Sequence, residues 1–223
     1  MTGAVRTPVR IDFVADVICP FCWVGWARLK RALKERPLIA PQIVWRAFQL
    51  DPTTPPEGVD RKAYLAAKFP EPGRVEGMHR NIEEMGRSEG LEFRFDDIPR
   101  TPNTVGAHQV ILWAAAEDKQ DAAVEALFKA YFHDGRDIGD PEVLAAIAGE
   151  VGMDPGAVAR RLASGEDAAL IGQAYRSAAQ AGITGVPFYI FDQKVGLPGA
   201  QPPETILAAL EQAQKTPARP TGA

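Results

Sequence analysis

The sequence predicts an α/β domain interrupted by a block of helices, and three observations carry that prediction. A strand, a helix and a second strand open the chain, within residues 9–48. More than a hundred residues of mostly helical pattern follow. Strands then return as a hairpin, and one last helix closes the chain. With 223 residues the chain suits one large domain, or one domain carrying an insertion, and 46% hydrophobic residues can fill its core.

Residues 9–15 (VRIDFVA) alternate apolar and polar side chains, the period of a strand. WVGWARLKRALKER (23–36) sets Trp26, Leu29 and Leu33 on one helical face. QIVWRAF (42–48) reads as a second strand, so the opening is a βαβ unit. DPTTPPEG (51–58) is a turn-rich linker into the helical block. There, Val75, Met78, Ile82 and Met85 mark one helix face, and Val124, Leu127, Phe128 and Tyr131 another. Asp140-Pro141 and Asp154-Pro155 pair an N-cap with a first-turn proline and open two more helices. A helix from about Glu166 ends at Gly182, which suits the position just past a helix end. VPFYIF and KVGL, joined through Asp192-Gln193, form a hairpin, and PPETILAALEQA is the closing helix.

Charge and hydropathy exclude several functions. Lys and Arg number 25 against 29 Asp and Glu, a net charge of −4, which argues against a general nucleic-acid binder. No apolar run is long enough for a transmembrane helix, so no membrane partner is expected. The first residues, MTGAVRTPVRIDFV, lack an apolar signal core, and a cytoplasmic location is expected.

The two cysteines, Cys19 and Cys22, stand two residues apart at the first strand-to-helix junction. Cys19 falls at the helix N-cap and Pro20 at the first helical position. Unpaired amides and partial positive charge there favour a thiolate. Cys22 follows on the same face, within disulfide reach. That pairing suits thiol–disulfide exchange. Zinc would need four ligands, and the three histidines are scattered with no second CxxC, so no metal is expected. A staple closing so short a loop would restrain little of the unfolded chain. Phe21 and Trp23 give the motif an apolar surround. Pro187, at the start of an apolar strand after a Gly-rich turn, reads from the residues alone as an ordinary strand-start proline. A cis bond is also tolerated there.

Taken together, ADVICPFCWVG (15–25), PNTVGAH (102–108), the Gly-Val-Pro at 185–187 and GLPGAQPPETILAAL (196–210) resemble the DsbA family, in its FrnE-like branch. The resemblance implies a thioredoxin-like fold, with residues 1–57 and 167–215 as the thioredoxin-like domain. Residues 58–166 then form the helical insertion domain and 216–223 a disordered tail. It implies a thiol–disulfide oxidoreductase in which Cys19 attacks and Cys22 resolves. Pro187 would be a cis-proline facing the disulfide, and the Val186 backbone would pair with an extended substrate. Phe21 stands where the periplasmic enzymes carry a histidine, so a cation beside the thiolate is expected to be missing. Partners would be a thiol- or disulfide-containing protein or a small thiol. No permanently bound cofactor is expected, with glutathione a candidate co-substrate.

Other residues are weaker candidates. Asp12, on the first strand, could assist proton transfer from Cys22. Its facing is open, because side chains alternate along a strand. Asp16 suits either the turn or the chemistry. His108 reads first as a satisfied core histidine and second as a cleft group that contacts substrate. Asn103 reads first as a helix N-cap, with the same substrate role as alternative. His79 and His133 carry no assignment, and the four tryptophans read as core or cleft lining. Two rival functions remain. The chain also resembles glutathione-dependent 2-hydroxychromene-2-carboxylate isomerases and kappa-class glutathione transferases, where a serine typically occupies the Cys19 position. A client-binding chaperone module is the third reading. Monomer and homodimer are both compatible with the pattern.

Overall fold

The structure, a computed structural model, describes residues 7–217. Strand β1 (Thr7–Ala15) lies parallel to β2 (Ile39–Ala47), with helix α1 (Pro20–Lys34) crossing between them. Strands β5 (Phe188–Phe191) and β6 (Val195–Pro198) complete a sheet of order β2-β1-β5-β6, in which β5 runs antiparallel to both β1 and β6. The turn between β5 and β6 places Asp192 at φ 49° and Gln193 at φ 57°. The Lys194 amide closes this turn on the Phe191 carbonyl at 2.9 Å, and three residues, 192–194, join the strands. Helix α9 (Pro203–Lys215) packs on α1. This is the thioredoxin-like βαβ…ββα arrangement.

Between β2 and β5 run α2 (Arg61–Lys68), α3 (Arg74–Ser88), α4 (Val105–Ala115), α5 (Gln120–Phe132), α6 (Pro141–Glu150), α7 (Pro155–Ser164) and α8 (Ala168–Gln180). The caps expected at Asp140 and Asp154 form, each carboxylate accepting first-turn amides. Gly182 takes φ 80° just beyond α8. The insertion is not wholly helical. β3 (Val59–Asp60) and β4 (Arg100–Thr101) pair as a two-stranded ribbon, and residues 89–104 are mostly irregular. Two-residue strands are too short to show a period. Thr104, not Asn103, is the N-cap of α4, although the Asn103 Oδ1 still accepts from the Val105 amide at 3.0 Å. Of the expected tail, Thr216 remains tied to the Gln212 carbonyl at 3.0 Å, and 218–223 lie outside the described residues.

Alternation along β1 decides what each sheet face buries. Ile11 and Phe13 point into the main core, where Phe13 meets Trp26 and Tyr189 at ring separations of 5.5 Å and 5.1 Å. Val14 points the other way, into a small cluster with Phe48, Ala178 and Ile183 beneath α8. The main core continues from the sheet into the insertion. Trp23 stands edge-on to Phe93 at 4.8 Å and stacks on Phe132 at 5.9 Å, which anchors the CxxC helix against the helical block.

Candidate active site

Cys19 is the N-cap of α1 and Pro20 its first residue. The Cys19 amide donates to the Asp16 carbonyl at 3.1 Å, and the Cys22 amide to the Cys19 carbonyl at 2.9 Å, which fixes both thiols at the first turn. Both cysteines are free and buried. The Cys19 thiol donates to the Val186 carbonyl at 3.6 Å. Val186–Pro187 is a cis peptide. The segment before β5 therefore lies directly on the Cys19 sulfur. Burial pushes the Cys22 thiol well above its ordinary value, and the neighbouring Cys19 adds to that shift. Cys19 is buried but lines a cavity, whereas Cys22 is sealed in the core, an arrangement that can support thiol–disulfide exchange.

Two residues absent from the sequence candidates shape this contact. A Cβ built on Gly25 would come within 2.6 Å of the Tyr189 hydroxyl and 2.9 Å of Pro187 Cγ, so only glycine lets α1 approach so closely. Tyr189 is fully buried and its hydroxyl has no hydrogen-bond partner. Burial, and then proximity to Cys22, raise its ionisation far above the ordinary range. Along β5, Tyr189 and Phe191 are buried and Phe188 and Ile190 half-buried, a facing that the uniformly apolar run VPFYIF does not reveal. Nothing in the sequence pairs Tyr189 with Cys22.

Asp12 is placed elsewhere. It shares the Val14 face, away from α1, and takes hydrogen bonds from Arg10 Nε at 2.9 Å and Arg46 Nε at 2.6 Å. Burial alone would raise its carboxyl, but those guanidinium bonds outweigh burial and hold it below the usual range. The buried carboxylate beside the motif is Asp16. Its Oδ2 accepts from the Leu50 amide at 2.8 Å, while Oδ1 has no hydrogen bond and lies 3.4 Å from His108 Nε2. Its charge also opposes ionisation of Cys22. A carboxylate at 12 points to the wrong face; one at 16 sits in the turn that holds the cysteines.

His108 is a core residue behind the site. The Trp45 indole N–H can only donate, so His108 Nδ1 accepts it, at 3.1 Å, and Nε2 carries the hydrogen that meets the Phe48 carbonyl at 3.1 Å. Asn103 bridges its own helix start to the Thr54 carbonyl at 2.7 Å. Neither lines the cavity at Cys19. Phe21 does, together with Cys19 and Val186. Nor does that cavity lack cations: Arg61 and Lys68, both from α2, stand in its wall, beside His79 of α3. Sequence reading missed them because helix-surface cations look alike until tertiary contacts bury some. Among the described residues no three His, Cys, Asp or Glu side chains converge to hold a metal, and no helix is long and apolar enough to cross a membrane.

The DSBA-like thioredoxin domain model matches residues 10–211. The chain belongs to that family. It is 31% identical to a probable DsbA oxidoreductase from Streptomyces coelicolor, with TM-score 0.87 over 96% of this chain and 94% of the other. The protein YwbO of Bacillus subtilis is 27% identical over 93% of this chain and 98% of its own length. A 2-hydroxychromene-2-carboxylate isomerase shares the fold at TM-score 0.68 and 17% identity, covering 92% of this chain and 94% of its own. So does the cytosolic disulfide reductase DsbM of Pseudomonas aeruginosa, solved with GSH, at TM-score 0.63 and 19% identity over 93% of this chain and all of its own. Family and fold together make this chain a DsbA-like oxidoreductase.

Proposed function

We propose that the protein exchanges thiols and disulfides through Cys19 and Cys22. The observation that carries this reading is the placement of the Cys19 sulfur at a helix N-cap, against the Val186 carbonyl and on the wall of an apolar cavity, with the buried Cys22 one turn behind. In the oxidising direction the Cys19 thiolate attacks a substrate disulfide R–S–S–R. A Cys19–S–S–R bond forms and RS⁻ leaves. Cys22, on losing its proton, attacks the Cys19 sulfur and expels the second RS⁻. The dithiol loses two electrons, the substrate gains them, and the two thiol protons end on the released thiols. The reverse sequence reduces the protein and oxidises its partner. Val186 would hold an extended substrate by its backbone. The resting partner is a thiol- or disulfide-bearing protein or a small thiol, in a cytoplasmic setting like that named for DsbM.

Equilibration in glutathione redox buffers, followed by tryptophan fluorescence and mass spectrometry, tests the reading. A reversible Cys19–Cys22 disulfide is expected, with a midpoint that separates a reductase from an oxidase, since about 30 mV corresponds to about 1.4 kcal/mol. Cys22→Ala is expected to accumulate mixed disulfides on Cys19. A pair that never closes, with no adducts trapped, sinks it. The glutathione-dependent isomerase or transferase reading then takes over, provided glutathione binding survives Cys19→Ser. Client protection from aggregation in a cysteine-free variant would favour the chaperone reading instead.

A further inference from the structure

The cavity beside Cys19 encloses about 250 Å³. Most of its wall is apolar, including Ile18, Phe21, Leu65 and Phe95. Its charged side chains are Arg61 and Lys68, and no carboxylate lines it. Arg61 is the unusual member. Only 8% of it is exposed, and among the described residues none of the arginine ion pairs includes it. Its Nη1 donates to the Tyr131 hydroxyl at 2.9 Å, and its plane stands over Phe95 and Tyr131, but Nε has no partner. Removing a guanidinium from water is costly unless a counter-charge and full hydrogen bonding repay it, and neither is present here.

A second group shows the same deficit. His79 Nε2 is buried without a partner, and its ring lies flat on Phe95 at 4.0 Å. Burial, and then the Arg61 charge, lower its ionisation below the ordinary value, so Arg61 acts on this wall as an unneutralised cation. A larger adjoining cavity of about 570 Å³ shares Arg61, Leu65, Phe69, His79 and Phe95, and its outer rim carries Glu71, Glu76 and Asp96. Acidic groups thus flank the outer space, and the inner space next to the sulfur is left positive.

We propose that the inner cavity receives a small organic thiol or disulfide bearing a carboxylate, with the carboxylate on Arg61 and the sulfur at Cys19. A planar fork of N–H donors matches a carboxylate, and the apolar wall suits the short carbon chain between the acid and the sulfur. The enclosed volume fits a compact molecule better than a folded partner. Arg61 would then select which disulfide Cys19 attacks, and Lys68, on the exposed rim, would attract the anion as it enters. The inference rests on the exchange reading given above.

Three symmetric disulfides test it on the reduced protein: 3,3′-dithiodipropionate, bis(2-hydroxyethyl) disulfide and cystamine. Each rate is divided by the rate of the same disulfide with 2-mercaptoethanol, which removes intrinsic reactivity. The acid is expected to exceed the neutral disulfide by about tenfold or more, with the cationic one slowest. Arg61→Met should bring the acid-to-neutral ratio close to one and Lys68→Met should lower it partly. Arg136→Met, which removes a remote surface arginine, should leave the ratio in place. A second measurement needs no variant: 3-methylthiopropionate should shield Cys19 from iodoacetamide, and its amide should not. Equal normalised rates, a ratio that survives Arg61→Met, or no shielding by the acid overturns the proposal. If none of the disulfides closes the pair, it is the exchange reading that fails, and the shielding assay still decides the pocket.

Discussion

Gly25→Ala should harm this protein even though alanine favours helices. Gly25 lies inside α1, where alanine is better than glycine by about 1 kcal/mol. The added methyl, however, would stand 2.6 Å from the Tyr189 hydroxyl and 2.9 Å from Pro187 Cγ, both closer than real contacts allow. Neither neighbour can give way easily. Tyr189 is sealed in the core, and the proline ring is part of the main chain beside Cys19. Overpacking costs about 1–3 kcal/mol, and two contacts under 3 Å to rigid neighbours put this substitution in the upper half of that range, at about 2–3 kcal/mol; the net expectation is a loss of about 1–2 kcal/mol once the helix gain is subtracted. At about 2–4 °C per kcal/mol for a chain of this size, Tm should fall by about 2–8 °C. Cys19 exchange should change as well, because Pro187 is displaced and the Val186 carbonyl on the Cys19 sulfur belongs to the same peptide bond. Gly77→Ala is the matched control. Its Cβ would meet only the Arg80 guanidinium, at 3.9 Å, so the same substitution should stabilise by up to about 1 kcal/mol. Thermal unfolding of the two reduced variants, with exchange rates measured alongside, makes the comparison. A Gly25→Ala protein as stable as the parent and equally fast would refute the packing argument.

Three further outcomes are expected. The reduced protein should lose stability as pH rises beyond about 9, by up to about 1.4 kcal/mol per pH unit. The unfolded Cys22 ionises near its ordinary 9.0, whereas the folded one, held up by burial and by Cys19, keeps its proton, so the unfolded chain binds fewer protons. Urea midpoints between pH 8 and 10 should show that slope for the reduced protein and a flatter one for reduced Cys22→Ala, and equal slopes would refute it; Tyr131, pushed up to about 12, enters only above the ordinary tyrosine value of 10.0. Asp12→Asn should cost about 1–3 kcal/mol at neutral pH through its two arginine partners and leave exchange rates unchanged. Slower resolution by Cys22 in that variant would restore a proton-transfer role to Asp12. The Asp12 contribution itself is complete above the usual carboxylate range and is lost as pH falls through its lowered value. Asp16→Asn should let Cys22 ionise at lower pH, read by thiolate absorbance against pH, because a charge that opposes its ionisation has gone.

The sequence by itself determined the order of elements and the place of the two cysteines. Alternation in VRIDFVA, the apolar run VPFYIF, the i, i+3, i+7 face of the first helix, and the Asp-Pro caps are local signals, set by backbone geometry and by the faces the chain covers. They carried over because the chain buries the faces they mark. Cys19 and Cys22 were legible for the same reason: their spacing and their place at a strand-to-helix junction are written within four residues. The ribbon between Val59 and Arg100 was not legible, since pairing two residues with two others forty positions away leaves no period to read.

Only the tertiary structure decided which acid lies beside the motif and what faces the sulfur. Asp12 and Asp16 differ by four residues, yet the first points to the arginine-covered face and the second is buried in the turn against Leu50 and His108. Arg61 and His79 look like ordinary helix-surface residues until α2 and α3 fold over the first turn of α1. The charge around a sulfur is a sum over neighbours brought from distant parts of the chain, and its strength depends on how much water they exclude. Neither quantity exists before the chain has folded.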